Sequence, residues 1–130
     1  MAEKREEGNN QERGNSTGGA LNGLRVLELG SLIGAPFCGT LMAEFGAEVI
    51  KVEDPKVGDS ARYFGKVRDG SSLYFAFMAR NKKCITMDLR IPEGQALLKK
   101  LIPLADVGTG RIPALFRPSA AAAKATVSAS

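Results

Sequence analysis

The chain has 130 residues, room for one domain, and a formal net charge of +4 concentrated at its C-terminal end, where residues 108–130 carry three bases and no acid. No run approaches the ~20 apolar residues of a bilayer span, and 6% aromatic residues without a base-reading motif leave no membrane or nucleic-acid partner to expect. There is no histidine, which removes the commonest general base and metal ligand, and Cys38 and Cys84 match no metal or redox spacing, so no metal is expected.

Residues 1–19 hold no large apolar side chain beyond Met1 and cannot bury enough surface to offset their ordering entropy, which predicts a disordered leader. Its four Glu and lack of an apolar run fit neither a transit nor a secretory peptide, and the expected location is cytoplasmic. "LRVLEL" (24–29), bounded by Gly23 and Gly30, predicts a buried strand. A Gly-rich turn follows, and then Phe37, Leu41 and Phe45 recur at steps of four with Cys38 and Met42 beside them, which predicts the apolar face of a helix. Pro36 suits its first turn and Gly46 its stop. "AEVIKVE" (47–53) predicts a second strand, and strand, helix and strand within some thirty residues imply a parallel βαβ unit.

Residues 54–72 are loop-like, and "LYFAFMA" is an apolar run of either type. "KCITMDL" alternates, with Ile85, Met87 and Leu89 on one face, as a strand does. Pro92 opens a helix in which Leu97 meets Leu101 and Leu98 meets Ile102, and Pro103 ends it. "LADV" begins another strand, after which the pattern stops: the last 23 residues hold seven Ala, with Pro113 and Pro118 interrupting them. Residues 108–130 are therefore expected to be poorly packed.

The glycines after the first strand, Gly30, Gly34 and Gly39, miss the G-x-G-x-x-G spacing, although Glu53 ends the second strand where a ribose-binding acid could sit. A phosphate-holding turn and a merely tight turn both fit. Arg80, Lys82 and Lys83 cluster before a strand, either as a phosphate site or as cations that blunt a sheet edge. The carboxylates Glu53, Asp54, Asp59, Asp69 and Asp88 show no acid–base spacing.

Taken together, "AEFGAEVIKVE", the Gly58–Asp59–Arg62 "GDxxR" and "NKKCITMDL" resemble the N-terminal part of the class III CoA-transferases, a superfamily that includes formyl-CoA and carnitine CoA-transferases and acyl-CoA racemases. The resemblance runs from Leu21 to Val107. It implies an α/β fold with an incomplete Rossmann-like parallel sheet, the N-terminal part of the family's large domain, in residues 20–107 between the disordered leader 1–19 and an aberrant low-complexity tail 108–130. It implies coenzyme A or acyl-CoA as substrate, carboxylic acids as co-substrates, and an interlocked homodimer in the family. Carried over by position, Ile33 and Gly34 touch CoA, as do Met87, Asp88, Leu89 and Arg90, with Lys82 and Lys83 as further cations. Asp54 stands where the family often has Arg, and would repel a phosphate.

The family's nucleophilic Asp belongs downstream, and its "ENFRPG" block is replaced here by "GTGRIPALFRP". The resemblance therefore assigns no catalytic residue to this chain. It predicts a truncated, inactive segment with foreign sequence joined at Val107, as a frameshift or altered splice would produce. The rival expectations are a racemase relative, a short paralogue with its own role, a non-catalytic CoA- or nucleotide-binding module, and a nonfunctional translation product.

Overall fold

The structure, a computed structural model, describes residues 18–110 and 126–127, so the leader lies almost wholly outside the described residues. Strand β1 (Arg25–Glu28) leads to helix α1 (Gly34–Glu44) and strand β2 (Glu48–Glu53). A 3-10 turn (Ser60–Tyr63) and a small hairpin of β3 (Val67–Arg68) and β4 (Ser71–Ser72) come next. Helix α2 (Leu73–Met78), strand β5 (Lys82–Thr86) and helix α3 (Pro92–Leu101) follow. A 3-10 turn (Ile102–Leu104), β6 (Val107–Thr109) and β7 (Thr126–Val127) complete the series.

The main sheet has the order β5-β2-β1-β6-β7, and every pairing in it is parallel. The α/β class and the parallel sheet expected from the sequence are what the chain adopts. The chain builds outward from β1 through β2 to β5, then returns to β1's other side with β6. That reversal is a topological switch point, beyond which parallel sheets commonly hold ligands at the carboxyl ends of their strands.

The alternating strand pattern feeds two cores. On one face Val26 and Val49 pack with Ala43 of α1. On the other, Leu27, Val52 and Met87 pack with Leu98 of α3. The α1 face departs from expectation. Phe37, Leu41 and Phe45 are about half exposed, and the buried side of the helix is Ala35, Pro36, Gly39, Thr40 and Ala43. Small residues let the helix axis approach the sheet closely, and the large stripe points away from it.

Helix ends follow the sequence more faithfully. Gly46, at φ +97°, terminates α1 while its N–H donates to the Ala43 carbonyl and that of Ala47 to the Met42 carbonyl, the paired bonds of a Schellman stop. Pro92 is the first residue of α3, and Pro103 falls in the 3-10 turn after it.

Two expectations are corrected, and one that the sequence left open is resolved. The 54–72 stretch carries a capped 3-10 turn and a hairpin turned by Asp69 and Gly70, both at positive φ, as a tight two-residue connection requires. The ambiguous apolar run is a helix, capped by the Ser72 hydroxyl accepting from Phe75 N–H. The fold also does not stop at Val107. Gly108 and Thr109 pair with Leu27 and Glu28, and Thr126 and Val127 pair with Gly108 and Thr109. The rest of the expected tail lies outside the described residues. Among the described residues no helix is long and apolar enough to cross a membrane.

Candidate functional site

A groove of about 230 Å³ crosses the carboxyl ends of β1, β2 and β5. Its walls are the turn after β1 (Gly30, Ser31), the loop after β2 (Asp54, Gly58, Asp59) and the stretch Met87–Arg90 after β5. Gly94 brings α3 hard against this last stretch, since a Cβ there would overlap the Asp88 carbonyl. Arg90 forks between two carboxylates, 2.8 Å from Asp88 Oδ1 and 2.9 Å from Asp54 Oδ2. The Arg90 hydrogen bond holds the Asp88 carboxyl below its ordinary value, and Asp88 and Asp54 in turn raise the guanidinium. Asp54 thus engages Arg90, the exposed one of the two bases that line the groove, the other being the buried Lys51, a more specific obstacle to an anion than repulsion at a distance.

A buried charge network on the α1 side of the sheet adjoins the groove, and its Lys51, Glu53 and Asp59 form part of the groove's lining. Lys51 donates to Glu28 Oε1 at 2.8 Å and to the Gly30 carbonyl at 3.0 Å, and forms an ion pair with Asp59 Oδ2 at 2.5 Å. The other Glu28 oxygen accepts from Lys82 at 2.7 Å. Glu53 holds Arg62 bidentately, at 2.7 and 2.9 Å, and also accepts from Asp59 N–H. Glu28, Lys51, Glu53 and Asp59 are each no more than 5% exposed.

Burial lowers the Lys51 pKa, but the attraction of Glu28 and Asp59 outweighs it and the net shift is upward. For Asp59, burial acts upward and is overcome by Lys51 and by the N–H groups of Ala61 and Leu32. For Glu53 the opposing groups are Arg62 and the Asp59 N–H. Lys82 moves the other way: burial lowers it more than Glu28 restores. The Cys84 thiol, pushed up by burial and by Glu53, is a poor thiolate and a poor nucleophile.

Of the residues singled out in the sequence, the structure brings Met87, Asp88, Leu89 and Arg90 together in the groove. Met87 is buried and serves the α3-side core. Ile33 and Gly34 come one residue beyond the Gly30–Ser31 wall and do not line the groove, with Ile33 exposed and Gly34 opening α1. Lys82 and Lys83 are not brought to the groove. The Lys82 side chain is 0% exposed and capped by Glu28 and the Pro36 carbonyl. Lys83 pairs with Glu48, at the amino end of β2, away from the groove. Sequence reading missed Glu28 and Lys51. The signal was present, since each is a charge on the inward-facing side of a strand, beside Val26 and Val49, and the two are in register across β1 and β2.

The same segment is found in known proteins. The family model for CoA-transferase family III matches residues 21–112. The chain is 57% identical over 88 residues to succinyl-CoA–D-citramalate CoA-transferase of Chloroflexus aurantiacus, covering 67% of this chain and 22% of that protein. It is 45% identical over 91 residues to formyl-CoA:oxalate CoA-transferase of Rhodopseudomonas palustris, covering 68% and 21%. Among solved structures, a CAIB/BAIF family protein from Brucella suis superposes with a TM-score of 0.65 at 37% identity, covering 72% of this chain and 26% of that one. The chain thus spans under a quarter of the length of the curated relatives it matches. With the family match running through β1, β2, β5 and β6 and all three walls of the groove, the chain belongs to CoA-transferase family III.

Proposed function

We propose that this chain provides the amino-terminal part of a CoA-binding site in a transferase that moves CoA between carboxylic acids, with the groove at the carboxyl ends of β1, β2 and β5 receiving the CoA moiety. The observation that carries this reading is the meeting of Met87–Arg90 with the turn after β1 in one groove, on a chain 57% identical to a succinyl-CoA-dependent transferase. CoA is an anion, and Arg90 is the exposed base of the groove, Lys51 being buried. Its guanidinium is 59% exposed and can turn from Asp54 toward a phosphate, to which a planar donor fork is well matched. Affinity of the isolated 130-residue chain is expected to be weak, in the millimolar range or about −4 kcal/mol.

The transfer chemistry of the resemblance needs a carboxylate that attacks the thioester and then carries CoA. Of the acids at the groove, Asp88 and Asp54 are tied to Arg90, and Asp59 and Glu53 lie in the ion-paired network. The 130-residue chain alone is therefore expected to bind without turning over. Calorimetric titration with CoA, NAD and ATP tests the binding: preference for CoA supports the reading, and preference for NAD defeats it. Incubation with acyl-CoA donors and carboxylate acceptors, followed by hydroxylamine, tests the chemistry. An aspartyl or glutamyl hydroxamate on this chain would show that a nucleophile is present in it after all.

A further inference from the structure

Leu32 sits at φ +68°, the left-handed region that non-glycine residues enter only under constraint. Both of its backbone groups are held from outside the turn. Its N–H donates to Asp59 Oδ1 at 3.0 Å, and its carbonyl accepts from the Tyr74 hydroxyl at 3.0 Å. The same Asp59 oxygen takes the Ser31 hydroxyl at 2.9 Å and the Ala61 N–H at 2.8 Å. The other oxygen is anchored by the buried Lys51 ammonium. Tyr74 is held in turn by edge-on packing against Phe64. Two elements far apart in sequence, the loop after β2 and helix α2, thus grip one strained residue from opposite sides. The next residues are Ile33 and Gly34, and no side chain caps the helix they open.

We propose that Asp59 and Tyr74 are positioning residues for CoA, acting through Leu32 to fix the backbone of Ile33 and Gly34 where the cofactor meets the turn after β1. The proposal rests on the CoA reading above and adds to it a physical reason for a strained leucine at that turn. Asp59 takes part in too many bonds to serve as a clean probe. Tyr74 contributes only its hydroxyl to the grip, and Tyr74→Phe keeps the ring against Phe64.

The test uses the full 130-residue chain. Tyr74→Phe, Leu32→Gly and the double variant are compared with Tyr63→Phe, a control that removes a hydroxyl from an exposed neighbouring ring. CoA affinity is read by calorimetry, and the 13Cα and 13Cβ shifts of residues 32 to 34 by NMR. Tyr74→Phe is expected to weaken CoA binding by about three- to tenfold, the worth of one hydrogen bond, and to move the Leu32 shifts away from left-handed values. Leu32→Gly added to Tyr74→Phe should recover part of the lost affinity, because glycine takes positive φ without strain. A tyrosine that merely supported the fold would show no such recovery. Unchanged Leu32 shifts, unchanged affinity in Tyr74→Phe, or no recovery in the double variant would each overturn the proposal while the CoA reading stood. Absence of CoA binding by the unmodified chain would instead sink the CoA reading and the role given to the grip, and the Leu32 shifts would still report whether the grip exists.

Discussion

Glu28 lies between two ammonium groups, Lys51 on one oxygen and Lys82 on the other, and the three do not matter equally. Lys82→Met leaves Glu28 still paired with Lys51, so the remaining carboxylate keeps a partner and the loss should be smaller than that of Glu28 itself. Chemical denaturation of the two variants gives that order directly. Glu28→Gln leaves two buried ammoniums facing each other and should cost about 3–5 kcal/mol in the same assay. The network also sets the acid limit. Asp59 and Glu53 have folded pKa values below their ordinary 3.8 and 4.5, so the unfolded chain takes up their protons first as pH falls. Their contribution to stability is complete above those ordinary values and is lost as pH drops through the lowered folded ones. Denaturation midpoints should therefore fall in acid, and Asp59→Asn should flatten the fall. Midpoints independent of pH across that range would show that these carboxylates are not coupled to folding. In the groove, Asp54→Asn should leave Arg90 with Asp88 as its one carboxylate partner of the two and tighten CoA binding, whereas Arg90→Ala should weaken it and reduce its salt dependence. Calorimetry at two salt concentrations reads both changes.

Helices α1 and α3 each bury a glycine, Gly39 and Gly94. Ala normally improves a helix interior by about 1 kcal/mol over Gly. At Gly39 a Cβ would overlap Glu28 Oε2, which Lys82 holds in place. At Gly94 it would overlap the Asp88 carbonyl, which is backbone and cannot turn aside. Gly39→Ala and Gly94→Ala should both destabilise, Gly94→Ala more, and thermal melts of the two variants give the order directly. These glycines mark the limit of what the sequence discloses. The stop of α1 at Gly46, the start of α3 at Pro92 and the alternation of Ile85 and Met87 are local signals, and each was readable. The outward turn of Phe37, Leu41 and Phe45 was not, because period alone gives a stripe without saying which side of the helix the sheet takes. Lys82 looked like a surface cation because its partner, Glu28, is 54 residues away. The Met87–Arg90 wall of the groove was legible by resemblance. The grip on Leu32 was not, since it brings Asp59 of the loop after β2 and Tyr74 of α2 to a turn 27 and 42 residues earlier.

Across the whole molecule, the sheet is covered by α1 on one face and α3 on the other, yet Ile33, Phe37, Leu41 and Phe45 form one exposed apolar row along α1. Apolar rows of this kind drive association. The 130-residue chain is expected to sediment with concentration-dependent mass, and Leu41→Lys should lower that mass without lowering the melting temperature, since Leu41 lies outside the buried side of the helix. A monodisperse monomer at every concentration would contradict this. The strand order has a consequence for synthesis. β1 leaves the ribosome before the other strands of the sheet, yet its partner β6 follows some eighty residues later, with Val26 opposite Val107. At ~5–20 residues per second, β1 waits on the order of ten seconds with one edge bare. During that interval a nascent chain can pair β1 with β2 and seat Glu28 on Lys51, while the row of hydrogen-bonding groups meant for β6 stays open to any other extended strand nearby. The vulnerable window of this protein is thus set by its topology, and a chaperone that shields that edge should act before Thr109 emerges.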